Sequence, residues 1–260
     1  MNGAKEWVLI LGGSSGIGLA TAKKLARHGF HLIIVHRDRK ADLEDIESEF
    51  HKITSHNVQC VSFNQDALNP TRRKILIDRI ASVLDLGTLK MLVHSIAKGN
   101  LKPMGAKVGM NLQHQDYQLT MDAMAISLYD WVSELHALGL FSSDARVVSF
   151  TSEGNAKAWP GYGAVSAAKA ALEAITRNIA VAFAGHGIKA NCIQAGVTNT
   201  RSFRMIPDYK TLLQVSIERN PYHRLTTPED VADVVYLLSK EEARWITGTV
   251  IKVDGGESLC

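Results

Sequence analysis

A tyrosine and a lysine lie seven residues apart near the middle of the chain. Tyr162 follows a loop broken by glycine and proline, and Lys169 lies inside the alanine-rich helical run 164–174. If Tyr162 opens that helix, the phenol and the ammonium share one face, because seven residues make nearly two turns. An ammonium a few ångströms from a phenol favours the phenolate. The pair is therefore a candidate proton donor beside a cation.

Two hydroxyl residues precede this pair at the end of a predicted strand. The apolar run 147–150 leads into Thr151 and Ser152, and Ser152 stands ten residues before Tyr162. A purely structural interpretation is also open, in which Tyr162 caps a core helix and Lys169 is a solvated surface lysine. Motifs in the remaining sequence are needed to distinguish the catalytic interpretation from the structural one.

Length and composition fit one large α/β domain, since 260 residues with 46% hydrophobic and 21% charged side chains can bury a sizeable core. A formal charge of +3 is too slight to predict a nucleic-acid or membrane partner. Cys60, Cys192 and Cys260 lack metal or redox spacing, so we expect reduced packing residues and no metal site. Without an evident signal segment or membrane-length apolar run, a cytoplasmic protein is expected.

The first loop of the chain is rich in glycine and lies between an apolar strand, 7–11, and a helical run, 19–28. Glycines there allow a tight turn and a close approach to a pyrophosphate, which the free N–H groups of the helix stabilise. An ordinary glycine-rich turn is the alternative. The candidate cofactor-binding residues in this loop are Gly12, Ser14, Ser15, Gly16, Ile17 and Gly18.

Cationic residues dominate the end of the second predicted strand, 31–35, where a protein specific for NADH would have an acidic residue. His36 is followed by Arg37, Asp38, Arg39 and Lys40. A guanidinium binds a 2′-phosphate in a fork and an acid repels it, so NADPH is preferred over NADH. Asp38 argues against this preference, and a merely solvated basic loop remains the alternative.

The remaining pattern alternates strands and helices through the first hundred residues, which predicts a doubly wound parallel sheet. Asp66 follows the third strand, 58–63, where it could accept from an adenine amino group or cap the helix after Pro70. The fourth strand, 89–93, leads into His94, Ser95, Ile96 and Ala97.

The second half contains two irregular segments that we interpret as functional. Residues 99–117 are expected to form a substrate loop at the carboxyl edge of the sheet, and residues 201–223 a mobile lid. A long helix, 119–140, should pack against the sheet and a second subunit. A strand, 189–194, should present residues 195–200 to the nicotinamide. Thr227 should cap a helix over 228–238, and 250–253 should form a last strand.

With these residues in view, the chain resembles the short-chain dehydrogenase/reductase family over essentially its full length. Several motifs match in order: Gly12, Gly16 and Gly18, the adenine-side acid Asp66, the late segment Asn220, Pro221, Arg224 and 230–232, and the ending 253–256. The resemblance implies a three-layer Rossmann fold and a homotetramer. It also implies cofactor contacts from Ser95, Ala97, Lys169, Gly196, Thr198 and Thr200.

One departure from the family pattern is informative. Ordinary ketoreductases carry tyrosine four residues before the lysine, whereas Val165 stands there and Tyr162 lies three residues earlier. This spacing, with the segment 94–97, is similar to that of enoyl-acyl-carrier-protein reductases. The glycine motif and basic strand end favour the NADPH-using form, enoyl reductase III, over the FabI form. Many ketoreductases have an asparagine in the long central helix. Met124 falls near that place in this chain, which fits an enoyl reductase better than a ketoreductase.

Moving the phenol by three residues shifts it by about one turn, roughly 5 Å along the helix. An enoyl reductase adds hydride to a carbon two atoms away from the thioester carbonyl carbon and must stabilise the enolate oxygen. The resemblance therefore implies that Tyr162 donates to that enolate, Lys169 binds the nicotinamide ribose, and Ser152 adds a polar contact. The expected substrate is an acyl thioester, carried on acyl carrier protein. Reduction of a carbonyl or non-fatty enone, and a non-catalytic nucleotide sensor, are the alternatives.

Overall fold

A parallel sheet forms the centre of the computed structural model, which describes residues 6–105 and 111–260. Within these residues the sheet has seven strands in the order β3-β2-β1-β4-β5-β6-β7. The strands are β1 Trp7–Leu11, β2 His31–His36, β3 Cys60–Asn64, β4 Leu89–His94, β5 Phe141–Thr151, β6 Ile188–Ala195 and β7 Val250–Val253. Every neighbouring pair is parallel, which confirms the predicted doubly wound sheet.

Helices cover both faces of this sheet. They are α1 Gly16–Arg27, α2 Leu43–Thr54, α3 Pro70–Ala81, α4 His114–Met121, α5 Ser127–Ala137, α6 Gly163–Ala182, α7 Tyr209–Arg219 and α8 Pro228–Ser239. Among the described ranges 6–105 and 111–260, no helix combines the length and apolar character needed to cross a bilayer.

The core consists of two apolar layers because successive residues of a strand point to opposite faces of the sheet. In β1, Leu9 and Leu11 pack with Trp131 of α5 on one face, and Val8 and Ile10 pack with Leu25 of α1 on the other. All five residues of β1 are buried. A central strand buried on both faces is typical of parallel sheets and explains the unbroken apolar run in the sequence.

The sheet reverses its strand order between β1 and β4, and both strands end at the same edge. The backbone N–H of Ser95, just after β4, donates to the carbonyl of Leu11 at 2.8 Å. The N–H of Gly12 donates to the carbonyl of Val35, also at 2.8 Å. The loops after β1, β2 and β4 therefore start side by side, at the crevice where ligands of such folds bind.

The long central helix begins earlier than the sequence predicted. It runs from His114 to Ala137 and contains a π-helical turn, Asp122–Ile126, that includes Met124. The expected loop over 99–117 therefore ends at Gln113, and residues 106–110 lie outside the described residues. Asp116 explains the early start, because its carboxylate accepts the N–H of Gln113 at 2.9 Å and the ammonium of Lys102 at 2.9 Å.

The segment 201–223 is more ordered in secondary structure than expected. It contains the eleven-residue helix α7, so the prediction of an irregular segment is wrong for 209–219. The flanking Pro207 and Pro221 mark the ends of that helical stretch and do not exclude it. Farther along, Thr227 caps α8 as predicted, with its hydroxyl accepting the N–H of Asp230 at 3.2 Å.

Candidate active site

Tyr162 is the N-cap residue of α6, the position that the sequence predicted for it. Its hydroxyl lies 3.2 Å from the hydroxyl of Ser152, which follows the last residue of β5. Both side chains line a cavity of about 450 Å³ at the carboxyl edge of the sheet. Strand β5 and helix α6 thus bring together two residues that are ten positions apart.

The electrostatic environment of the phenol differs from the prediction. Burial raises the pKa of Tyr162, and the hydrogen bond with Ser152 offsets only part of that rise. The expectation that the neighbouring ammonium favours phenolate is therefore wrong, because loss of hydration outweighs other influences at a side chain that is 9% exposed. At neutral pH the phenol keeps its proton and is available as a hydrogen-bond donor.

Lys169 is a buried residue of α6, so it is not a solvated surface lysine. Its Nζ donates to the carbonyl oxygen of Phe150 at 2.5 Å, and the side chain lines the same cavity as Tyr162. Burial lowers the pKa of Lys169 to about 8, against the opposing influence of Cys192 and Glu173. A fixed cation is thus held on the cavity wall through the backbone of β5.

The buried ammonium should make stability depend on pH. A folded pKa of about 8 against 10.5 unfolded means that the unfolded chain binds more protons between these values. Relative to Lys169→Met, the wild type should therefore gain stability as pH rises from 8 to 10.5, by on the order of 3 kcal/mol. Urea unfolding of both proteins at several pH values measures this, and a constant difference would contradict it.

The glycine loop forms a tight cradle at the start of α1. Gly12 has a φ of +87°, and a Cβ added there would lie 2.4 Å from the carbonyl oxygen of Ser95. A Cβ on Gly18 would lie 2.1 Å from the carbonyl oxygen of Gly12. The side chain of Ser15, the N-cap residue, makes no capping hydrogen bond, so it leaves the first N–H groups of α1 to another acceptor. The cradle fits a dinucleotide pyrophosphate.

A second hollow, of about 570 Å³, continues from the cradle toward the ends of β2 and β3. Arg37 lies on its rim, and one guanidinium nitrogen donates to Asp66 at 3.0 Å. The other carboxylate oxygen of Asp66 accepts the N–H of Leu68 at 2.9 Å. The alternative that Asp66 caps the next helix is wrong, because Asn69 is the N-cap residue of α3.

Asp38 turns away from Arg37. Its carboxylate accepts from His36 at 2.9 Å, and its N–H donates to the side chain of Asn64 at 3.0 Å. The Arg37 side chain is 64% exposed, against 15% for Asp38. The accessible charged group at this rim is thus the guanidinium, already oriented by Asp66.

The two hollows share one wall, so the predicted cofactor residues form a continuous surface. Ser14, Ser15, Gly12, Gly16, Arg37 and Asp66 line the hollow at β2, and Ser152, Tyr162, Lys169, Gly196 and Thr198 line the cavity at β5. Ile17, Ser95, Ala97 and Thr200 line both. Gly18 lines neither, because it lies within α1 directly against Gly12.

The structure adds site residues that the sequence analysis did not assign. His94 lines the cavity, and its Nε2 lies 2.8 Å from the hydroxyl of Ser127, which donates onward to the carbonyl of Ala123 at 2.9 Å. Burial, with the nearby Lys169, lowers the pKa of His94 to about 3. His94 is therefore neutral and donates through Nε2. Its position at a strand's carboxyl end was the signal available in the sequence.

The cavity walls are largely apolar and face the hydroxyl pair. The apolar side chains include Phe150, Trp159, Val165, Phe203 and Ile206. Three acids, Glu153, Asp254 and Glu257, also line it, and of these Glu153 and Glu257 were not singled out from the sequence. Across residues 6–105 and 111–260, no cluster of three or more histidine, cysteine, aspartate or glutamate side chains could hold a metal ion. The arrangement suits an apolar substrate with one hydrogen-bond acceptor beside a dinucleotide.

Three curated proteins show how this chain compares with known enzymes. It is 29% identical over 259 residues to the enoyl-[acyl-carrier-protein] reductase [NADH] FabI of Aquifex aeolicus, covering 98% of this chain and 92% of that one. It is 28% identical to the 1-cyclohexenylcarbonyl-CoA reductase of Streptomyces collinus, covering 96% and 86%. It is 27% identical to a chloroplastic NADPH-dependent aldehyde reductase-like protein of Arabidopsis thaliana, covering 95% and 92%.

Solved structures and a family model agree with this comparison. The crystal structure of the enoyl-[acyl-carrier-protein] reductase (NADH) from Aquifex aeolicus superposes with a TM-score of 0.83 at 27% identity, covering 98% of this chain and 97% of that one. Residues 12–258 match the family model described as enoyl-(acyl carrier protein) reductase. The chain therefore belongs to the enoyl-(acyl carrier protein) reductase family of short-chain dehydrogenase/reductase oxidoreductases.

Proposed function

We propose that this protein reduces the carbon–carbon double bond of a trans-2-enoyl thioester with NADPH. The observation that carries the proposal is the placement of Tyr162. Its buried phenol pairs with Ser152 at the cavity, whereas Val165, four residues before Lys169, is an apolar wall residue. The donor therefore lies one helical turn from the place where a ketoreductase would have it.

The proposed roles follow from what each side chain can do. NADPH would supply the hydride to the substrate's β-carbon. Tyr162 donates a hydrogen bond to the thioester oxygen as it gains enolate charge, and Ser152 orients the phenol. Lys169, held by the carbonyl of Phe150, offers its remaining N–H donors to the nicotinamide ribose. The apolar walls exclude water from the developing charge.

The proposed preference for NADPH is supported by the rim of the second hollow. Arg37 presents a guanidinium there, and Asp38 is occupied by His36 and so does not compete for the ribose. The FabI relative carries NADH in its name, so family membership leaves the choice between the two cofactors open.

Removing the guanidinium at this rim should abolish the cofactor preference. Arg37→Ala should lower the ratio of kcat/KM for NADPH over NADH by about tenfold to hundredfold, because a charge-assisted fork to the 2′-phosphate is lost. The wild-type preference should also shrink at high salt. Arg27→Ala, at the opposite end of α1, is the control and should leave the ratio unchanged. Equal use of both cofactors by the wild type would refute the assignment.

Acyl carrier protein is the proposed carrier of the substrate. Exposed cations lie on the segments that border the cavity, at Lys98, Arg201 and Arg204, and such charges favour an acidic partner. We also propose a cytoplasmic homotetramer. Three exposed apolar residues of the long central helix, Leu119, Ile126 and Tyr129, support self-association. The free thiols of Cys60, Cys192 and Cys260 suit a reducing compartment such as the cytoplasm.

Carbonyl reduction is the second candidate, because a hydroxyl pair such as Ser152 and Tyr162 can also donate to a ketone oxygen. One assay separates the candidates: loss of NADPH absorbance with a crotonyl thioester and with an acetoacetyl thioester, each on acyl carrier protein and on coenzyme A. The proposal expects turnover of the crotonyl substrate. Turnover of the acetoacetyl substrate alone would establish the second candidate, and tight NADPH binding without turnover of either would indicate a nucleotide sensor.

A further inference from the structure

Arg219, the last residue of α7, connects segments on both sides of the cavity. One of its terminal nitrogens, Nη2, donates to Glu257 Oε1 at 2.9 Å and also to Glu153 Oε1. Glu153 directly follows Ser152 in the chain, and Glu257 lies in the C-terminal turn after β7. A single guanidinium thus holds two carboxylates that are distant in sequence.

Glu257 extends this connection to the loop after β6. Its other oxygen, Oε2, accepts the N–H of Val197 at 3.0 Å, beside the predicted cofactor residues Gly196 and Thr198. The loop is tightly seated there, since a Cβ on Gly196 would lie 2.9 Å from the same oxygen. Glu257 is 1% exposed, so the contact is shielded from water. Arg219 is therefore linked to the loop that contains Ser152 and, through Glu257, to the loop that contains Gly196 and Thr198.

The charges make the arrangement depend on the guanidinium. Two carboxylates brought together in a shielded place repel each other unless a cation lies between them. Burial lowers the pKa of Arg219, but hydrogen bonds with Glu153 and Glu257 raise it by more, so the net direction is upward. Arg219 remains charged at any working pH. Without it, the two carboxylates would repel each other, and the cation left beside Glu153 would be Lys157, whose Nζ lies 3.1 Å from Glu153 Oε2.

We propose that Arg219 is a positioning residue that fixes the Ser152–Glu153 loop and the 196–198 loop relative to each other, and anchors the end of α7 to both. The proposal rests on the proposed function for its catalytic consequence only. It predicts that loss of the guanidinium loosens two loops that share no backbone hydrogen bond, and misplaces Ser152 relative to the cofactor wall. Misplacement on the order of 1 Å is enough to lower turnover about a hundredfold.

Hydrogen exchange of the cofactor-free protein tests the link between the two loops without a measurement of enzyme activity. In Arg219→Met, amides in peptides covering 152–157 and 196–200 should both exchange about tenfold faster than in the wild type. Arg244→Met is the control, because Arg244 forms an exposed pair with Glu241 at 2.6 Å and touches neither loop. Unchanged exchange in either peptide would overturn the proposal, even if the wild type proved to be inactive toward thioesters.

Kinetics then test the catalytic consequence. Arg219→Met should lower kcat for the crotonyl thioester by tenfold to a hundredfold, with a change of less than threefold in its KM, and Arg219→Lys should recover part of kcat. A purely structural role would instead lower the active fraction and leave kcat per active site unchanged, which would refute the positioning role. If Arg219→Met does not fold, Glu153→Gln removes one arm and should accelerate exchange in 152–157 only. Acceleration in neither peptide would refute the link.

Discussion

Tyr162→Phe is expected to lower enoyl turnover by roughly 100-fold, equivalent to about 3 kcal/mol of transition-state stabilisation. The phenol is the donor closest to the substrate oxygen in the proposed mechanism, and phenylalanine keeps the ring packed against Trp159 while removing that donor. NADPH affinity should remain nearly intact, because the phenol acts on the substrate and not on the cofactor. Single-turnover rates and NADPH titration by fluorescence measure the two quantities separately.

Ser152→Ala is the matched comparison for this variant. The serine hydroxyl contacts the phenol at 3.2 Å and has a supporting role, so its removal should cost less than removal of the phenol. The opposite order, or wild-type turnover in Tyr162→Phe, would show that Tyr162 is not the donor. The phenol would then have only a structural role.

Lys169→Met should weaken NADPH binding and also lower turnover, each by at least tenfold. The ammonium is fixed by the carbonyl of Phe150, so its remaining donors are preorganised for the ribose hydroxyls. Charge-assisted hydrogen bonds of this kind contribute about 1.5–3 kcal/mol each. Methionine has a similar length, which limits cavity formation in the buried position.

The control for Lys169→Met is Arg177→Met, on the same helix. Arg177 is an exposed cation of α6 that lines neither of the two hollows, so its loss should change neither NADPH affinity nor turnover. Unchanged NADPH affinity in Lys169→Met would contradict the ribose-binding role even if turnover fell.

The sheet and the positions of the main candidate residues in it were predictable because their causes are local in the sequence. Continuous apolar runs become strands buried on both faces, and the glycines of the first loop occur where a strand must turn into a helix. The same local logic placed Tyr162 at the start of α6. It could not place the π turn at Met124, because the run 119–140 is apolar on most sides, so the shift of about 100° that one extra residue causes leaves no visible break in the apolar pattern.

Other features were decided only by tertiary structure, because they depend on residues that meet from distant parts of the chain. The pKa of Tyr162 is raised because packing removes water, which no spacing to Lys169 reveals. Arg37 and Asp66 were each predicted to face the cofactor, but not to bind each other.

The sequence by itself determined the class of fold, the glycine turn between β1 and α1, and the place of Tyr162 at the start of α6. Tertiary structure alone decided which charges meet, as when Arg219 joins Glu153 to Glu257 across 104 positions of the chain. The physical reason is range: turns, caps and apolar periodicity act over a few residues, whereas desolvation and ion pairing depend on everything that packs around a group.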